Sequence, residues 1–197
     1  MRRSELVEFH YIVPIANVRS IMKRGILCKN RAKRLRPESV AMEEIQEIRA
    51  NKVVPGGRLL HDYANLYFHA RNPMLRKRAS QHTELCVLRV STEILDLPGA
   101  VITDGNSASG YTAFRQSPAG LAIVERDLVF AEYWTDADQI VAWQKKRAKC
   151  AEVLVLGEVP PRFILGAYVS CPESQQALIE TGFDLPIAVD PHLFFRG

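Results

Sequence analysis

A dense cationic segment, Gln144-Lys145-Lys146-Arg147-Ala148-Lys149-Cys150-Ala151, runs straight into Glu152-Val153-Leu154-Val155-Leu156-Gly157. The alternating Val and Leu residues, ended by a glycine, predict a short buried strand rather than a helix. Its first residue is a carboxylate. A glutamate at the mouth of such a strand is costly to bury unless polar groups satisfy it. Glu152 is therefore suited to chemistry on a polyol or a cationic centre. The alternative is a surface glutamate neutralised by the lysines beside it.

Other residues could share that chemistry. His10, in Glu8-Phe9-His10-Tyr11-Ile12-Val13, either fills a polar core position or holds a ligand. The stretch His61-Asp62-Tyr63-Ala64-Asn65-Leu66-Tyr67-Phe68-His69-Ala70-Arg71-Asn72-Pro73-Met74-Leu75 interleaves aromatics with arginine. That mixture suits stacking on a flat ring together with a phosphate contact, although Tyr67 and Phe68 are also ordinary strand core. Four cysteines (Cys28, Cys86, Cys150, Cys171) lie far apart, with no C-x-x-C pair and no histidine at ligand spacing. They argue against a structural metal or a disulfide framework and for a reducing compartment, with Cys86 and Cys171 as small core residues.

The elements that must position these groups follow in order. A first strand over Glu8–Val13 stops at Pro14. Asn17 is expected to cap a helix carrying Val18, Ile21 and Met22, which ends at Gly25, and Ile26–Cys28 is extended again. Lys29–Arg36 reads as an exposed charged loop. Pro37-Glu38-Ser39 opens a helix with Ala41, Ile45 and Ile48 on one side and Glu43, Glu44 and Glu47 on the other. Arg49 lies near its C-terminal end, where the helix dipole favours a cation. Pro55-Gly56-Gly57 breaks the segment, an insertion long enough to act as a lid. Arg71-Asn72-Pro73 is a turn signal. Further strands are expected at Glu84–Ser91, Ala100–Thr103, Phe163–Ser170 and Ile187–Val189. The region 107–127 reads as mixed helix and loop. Asp136 is expected to cap a helix bearing Ile140, Val141 and Trp143, with the lysine run as the loop before Glu152. A further helix spans Pro172–Thr181. The whole of 1–197 reads as one α+β domain with a mixed β-sheet core and inserted helices and loops.

Composition bounds the partners. The chain has 197 residues, 47% of them hydrophobic, enough for one core. Its net charge of +4 hides an asymmetry: Met1–Arg78 carries 17 Lys/Arg against 7 Asp/Glu, and the remainder carries 9 against 15. A basic face able to meet a polyanion is implied, or a solvated surface compensated elsewhere. No signal-like segment or membrane-length apolar run is present, so the expected setting is cytoplasmic, away from membranes. There is no G-x-G-x-x-G fingerprint, which disfavours a Rossmann dehydrogenase.

Three stretches in this order, FHYIVPIANVRSIMKRGIL, LHDYANLYFHARNPML with the later TDGN, and the basic run into AEVLVLG, resemble the DarT family of DNA ADP-ribosyltransferase toxins. The resemblance covers nearly the whole chain. It implies the ADP-ribosyltransferase fold and transfer of ADP-ribose from NAD⁺, as co-substrate, to a base in single-stranded DNA, with release of nicotinamide. It implies a macrodomain antitoxin of the DarG kind as partner; no metal and a monomer are expected besides. Glu152 matches the family's catalytic glutamate, and Arg49 resembles the arginine that holds and orients NAD⁺. Tyr67 matches an aromatic of the nicotinamide pocket, and His10 and Asn17 fall in the first NAD-binding strand and turn. Val13 and Pro14 stand where many members have Thr and His. Arg71 and Met74 match positions facing DNA, and Arg76 with Lys145, Lys146 and Arg147 would track its backbone. LYFHARNPM departs from the FYFAPRSPM of the thymidine-modifying branch and resembles more the guanine-modifying one. Transfer to protein or RNA, or a silent nucleic-acid-binding domain, are the rival readings.

Overall fold

A computed structural model of the chain describes residues 1–38 and 43–196. Among the described residues the strands are β1 (Phe9–Pro14), β2 (Ile26–Leu27), β3 (Tyr63–Tyr67), β4 (Leu85–Val90), β5 (Val101–Thr103), β6 (Phe114–Gln116), β7 (Glu152–Leu156), β8 (Glu158–Val159), β9 (Ile164–Val169) and β10 (Ile187–Val189). Eight of them form one mixed sheet in the order β10-β9-β4-β1-β3-β7-β5-β6, and β2 pairs with β8 apart from it. Within that sheet β10 and β9 run parallel, and the other described neighbours are antiparallel. With helices gathered around a mostly antiparallel sheet, the class is α+β.

Side-chain alternation gives the sheet two unlike faces. One face carries Phe9, Val13, Leu66, Phe68, Leu88, Ile102, Val153 and Val155 into the main core. Val18 and Ile21 of α1 (Val18–Arg24) and Leu178 of α7 (Pro172–Glu180) join that core. Phe9 and Phe68 meet edge to face at 5.0 Å, an arrangement that adds about 1 kcal/mol beyond burial alone. The opposite face holds two small apolar clusters, one around Ile12 and Val87 and one around Leu60 and Leu154. Between them the sheet turns polar. That polar strip is where the chemistry-bearing residues lie.

Several expectations are corrected. Asn17 precedes α1 but makes no cap; its amide pairs instead with the backbone of Glu38, at 2.8 and 3.2 Å. Lys29–Arg36 is exposed as expected but helical over Lys29–Ala32 (α2) and Lys33–Leu35, because it has neither glycine nor proline to stop it. The inserted helix is α3 (Glu43–Asn51). Ser39 and Ala41 of its expected start, and the Glu43 side chain, lie outside the described residues. Its apolar stripe is not its buried side: Ile48 is 50% exposed and Arg49 only 5%. Arg71-Asn72-Pro73 is a helix start, with the Asn72 side chain accepting from the Met74 and Leu75 amides of α4 (Pro73–Lys77). The region 107–127 contains the edge strand β6, and a short α5 spans Arg126–Phe130. The cap of α6 (Gln139–Ala148) is Asp138, which accepts from Ile140 and Val141; Asp136 pairs with Lys145 at 2.7 Å. Lys145–Arg147 therefore belong to the last turn of a helix, where cations are favoured, and not to a loop. Cys171 is only partly buried and bonds Ser174. No helix among the described residues is long and apolar enough to cross a membrane.

Gly25 shows how the first strand–helix unit is closed. Its φ of +85° suits a residue without Cβ, and an added Cβ would lie 2.4 Å from the Val159 carbonyl oxygen. That close approach is what lets Ile26 pair with Val159.

Candidate active site

Strand register sets the centre of the site. Tyr67 of β3 lies opposite Glu152 of β7, and Asn65 projects on the same face two residues earlier. Glu152 is 2% exposed, so the surface reading of that residue is excluded. Its carboxylate is held from three sides. Asn65 Nδ2 donates to Oε1 at 3.1 Å, the Ser107 backbone N–H donates to Oε2 at 3.1 Å, and an Arg49 guanidinium nitrogen lies 3.4 and 3.5 Å from the two oxygens. The same Arg49 nitrogen donates to Ser107 Oγ at 2.7 Å. The Glu152 backbone is fixed in turn, its N–H donating to Thr103 Oγ1 at 3.0 Å, while that hydroxyl donates to the Gly105 carbonyl at 2.7 Å. A buried carboxylate with charge-assisted and amide donors stays where it is put.

These groups wall a cavity of about 900 Å³. Arg49, Asn65, Tyr67, Met74 and Glu152 all line it, and Lys29, Lys33, Lys146 and Arg147 contribute cations to its rim. The burial of Tyr67, with Glu152 beside it, pushes its phenol well above the usual tyrosine range, so the ring is neutral at physiological pH. Lys52 reaches the Ser109 carbonyl and lies 5.3 Å over the Phe114 ring; burial and the nearby Arg49 lower its pKa. His61, 7% exposed, also lines the cavity, and its buried Nε2 has no hydrogen-bond partner among the described residues. Burial and the cations Lys29, Arg49 and Lys33 lower its pKa, which keeps the imidazole neutral. A cavity with a buried carboxylate, a ring of cations and an orphaned imidazole nitrogen suits a polar, anionic ligand that bears hydroxyl groups.

The sequence-predicted residues separate into three groups. Glu152, Arg49 and Tyr67 come together, and Asn17, Met74, Lys146 and Arg147 line the same cavity. His10 does not line it: Nε2 lies 3.2 Å from Glu8 Oε1, in a buried cluster with Arg89 and Tyr168. Its other ring nitrogen, Nδ1, is buried without a hydrogen-bond partner among the described residues. Arg71 turns away to the His192 carbonyl and lies 4.3 Å over the ring of Phe195, where Arg76 joins at 5.2 Å. Lys145 pairs with Asp136, and Arg147 lies 2.9 Å from Asp104. Lys149 is fully buried, donating to the carbonyls of Val129 and Ala131 at 2.9 and 2.6 Å. Phe68, next to Tyr67, is core.

Sequence reasoning missed Asn65, Ser107, Thr103 and His61. Asn65 carried a signal, a polar residue at strand period between Tyr63 and Tyr67. Ser107 follows the TDGN turn, and nothing local marks its amide as a carboxylate donor.

Comparison with known proteins gives the chain a family. The family model described as "ssDNA thymidine ADP-ribosyltransferase, DarT" matches residues 10–195. A DNA ADP-ribosyl transferase–DNA ADP-ribosyl glycohydrolase fusion protein of Thermosipho africanus is 33% identical over 196 residues, covering 95% of this chain and 49% of the fusion. The chain thus spans about half the length of that relative. A DNA ADP-ribosyl transferase of a Thermus species is 29% identical, covering 79% of this chain and 78% of the relative. Among solved structures, Thermosipho africanus DarTG in complex with ADP-ribose superposes with a TM-score of 0.82 at 31% identity, covering 96% of this chain and 51% of that one. Thermus sp. 2.9 DarT in complex with ADP-ribosylated ssDNA gives 0.82 at 23% identity, covering 96% of each, a likeness of fold.

Proposed function

The chain belongs to the DarT family of DNA ADP-ribosyltransferases, and from that premise we propose that it transfers ADP-ribose from NAD⁺ to a base of single-stranded DNA. One observation carries the reading: a buried carboxylate, Glu152, faces a large cation-rimmed cavity with Arg49 and Tyr67 beside it. Breaking the bond between nicotinamide and ribose builds positive charge on the sugar. A carboxylate fixed by Asn65 and Ser107 stabilises that charge more than it stabilises the ground state, because its donors are already in place. The bonding pair leaves with neutral nicotinamide. A nitrogen of the incoming base forms the new bond to the sugar carbon, and Glu152 accepts the proton that this nitrogen loses.

Arg49 serves two ends. It neutralises Glu152 in the resting site and presents its remaining donors toward the diphosphate of NAD⁺. Tyr67, neutral and partly exposed, offers a ring face to the nicotinamide. Lys146 and Arg147 at the rim meet the DNA backbone, and a single strand suits the site because an unpaired base enters without breaking a pair.

For the base, the wording LYFHARNPM favours guanine, whereas the matching family model is described for thymidine. The fusion of a transferase with a glycohydrolase in Thermosipho supports a toxin restrained by a macrodomain antitoxin. Labelled NAD⁺ incubated with separate pools of single-stranded DNA, RNA and protein tests the reaction. Label is expected in DNA alone, and mass spectrometry of the released nucleosides identifies the base. Label in RNA or protein only would refute the substrate, and DNA binding without nicotinamide release would refute the enzyme.

A further inference from the structure

Arg49 is followed three residues later by a second cation, Lys52, at a spacing that keeps the two on one side of a helical segment. Lys52 Nζ donates to the Ser109 carbonyl and lies 5.3 Å over the Phe114 ring of β6. The two cations therefore grip one loop. Arg49 holds Ser107 Oγ at 2.7 Å, and Lys52 holds the backbone two residues on. That loop joins β5 to β6 and is folded tightly on Asn106. The Asn106 carbonyl accepts from the Ser109 N–H at 2.9 Å and from the Thr112 hydroxyl at 2.7 Å, and its side-chain oxygen accepts from the Ala108 N–H at 2.9 Å. A turn so closed moves as one piece, and it carries the Ser107 N–H that donates to Glu152 Oε2 at 3.1 Å. Lys52 is not among the residues that wall the Glu152 cavity, whereas Asn106 and Ser109 are. Burial and the charge of Arg49 both disfavour its ammonium, a cost that a lysine pointing into solvent would avoid.

We propose that Lys52 is a positioning residue for the transfer: through the Ser109 carbonyl it fixes the loop that presents the Ser107 N–H to Glu152. The inference rests on the function proposed above and deepens it. Asn65 and Arg49 reach Glu152 with side chains, and Ser107 reaches it with an amide whose place depends on the loop. Without Lys52 the loop stays tied at its base, by the β5–β6 pair and by Asp104 against Arg147. Its tip, however, loses one of the two described ties to the α3 segment. Arg49 cannot make up the difference, because one of its nitrogens already serves both Ser107 and Glu152. The carboxylate is then oriented less tightly. Orientation counts most where charge develops on the sugar, and far less in holding the dinucleotide before its bond breaks. Lys52 thus acts on the rate of transfer and leaves NAD⁺ binding as it was.

The test compares the full wild-type chain with Lys52→Met, which keeps the apolar stem, and Lys52→Arg, which keeps the charge and the reach. Urea midpoints establish that each is folded. Lys52→Gln, one atom shorter and uncharged, takes the place of the methionine variant if that one does not fold. Transfer to a single-stranded oligonucleotide that the wild type modifies gives kcat and KM, calorimetry gives the NAD⁺ Kd, and NMR follows hydrogen exchange at the Ser107 amide. Lys52→Met is expected to lose about tenfold in kcat, less than removal of a whole preorganised donor costs. Its KM for NAD⁺ and its NAD⁺ Kd should not move, and its Ser107 amide should exchange faster. Lys52→Arg should recover most of the rate and the protection. The role is overturned, while transfer to DNA stands, if Lys52→Met keeps the wild-type kcat or the wild-type exchange at Ser107. A loss carried by the NAD⁺ Kd, or an arginine variant no better than the methionine one, overturns it equally. If the wild type transfers nothing to single-stranded DNA, the proposed function fails and the positioning role with it.

Discussion

Replacing Glu152 separates its chemical role from its structural one. The carboxylate receives Asn65, the Ser107 amide and Arg49, so Glu152→Gln keeps the shape but turns one acceptor oxygen into a donor that must face Arg49 and either Asn65 or Ser107. The unmade bond and the now unpaired Arg49 charge, both buried, together cost about 3 kcal/mol of folding stability. The rate should fall by at least a hundredfold, since about 3 kcal/mol of transition-state stabilisation goes with the carboxylate charge. Two effects of equal size are easily confused, so a second substitution is needed. In Glu152→Met/Arg49→Met no buried charge of this pair is left unpaired, and stability should return toward that of the wild type. Transfer should remain absent. Urea denaturation measures the first quantity, and release of labelled nicotinamide in the presence of single-stranded DNA measures the second. A well-folded Glu152→Gln variant that transfers at the wild-type rate would refute the reasoning. So would a double variant that regains activity along with its stability.

Two further perturbations test the frame that carries the site. His69 accepts from the buried Lys149 Nζ at 3.2 Å, and burial together with that cation lowers the His69 pKa from 6.5 to about 3. The unfolded chain therefore binds a proton that the folded chain refuses between those values, so stability should fall as pH drops below 6.5, by up to about 1.4 kcal/mol per unit. Urea midpoints at pH 7 and pH 5 check this, and a midpoint that rises on acidification would contradict it. Gly25→Ala meets both a φ of +85° and a Cβ 2.4 Å from the Val159 carbonyl. It should lose about 2 kcal/mol or more, read as a lowered Tm, because L-residues resist that backbone and the carbonyl cannot yield without breaking the β2–β8 pair.

What the sequence conveys depends on whether the deciding physics is local. The strands at Leu85–Val90, Glu152–Leu156 and Ile164–Val169 are apolar runs bounded by breakers, and they lie within a residue or two of where those patterns put them. Glycine stops at Gly25 and Gly182 are equally plain, both with positive φ. Caps are less so. Asp136 and Asp138 are equally good capping residues, and only the reach of Lys145 to Asp136 decides between them. The short edge strand at Phe114–Gln116 exists because β5 offers it a partner, information that its own composition does not contain. The basic run reads as a loop of unpaired cations because charge is visible in sequence and its partners are not. Asp136, Asp104 and the carbonyls around Lys149 are supplied by the fold.

The inserted helix shows why the candidate site itself is partly hidden. A surface helix should bury its apolar stripe, yet α3 leaves Ile48 half exposed and turns Arg49 inward. A guanidinium is costly to desolvate, and the packing of a helix on an apolar sheet face would not tolerate it. Here the sheet face beneath is the polar strip of Asn65, Tyr67 and Glu152, so the inward cation finds a carboxylate at 3.4 Å and a hydroxyl at 2.7 Å. The conflict with the hydrophobic pattern is thus resolved by the same residues that could do the chemistry. Helix and strand are each anomalous alone: one places a cation inward, the other an anion. Together they neutralise one another, and both line the cavity. A sequence reader who asks where the local rules fail in two elements with opposite sign of charge has a physical route to such a pair.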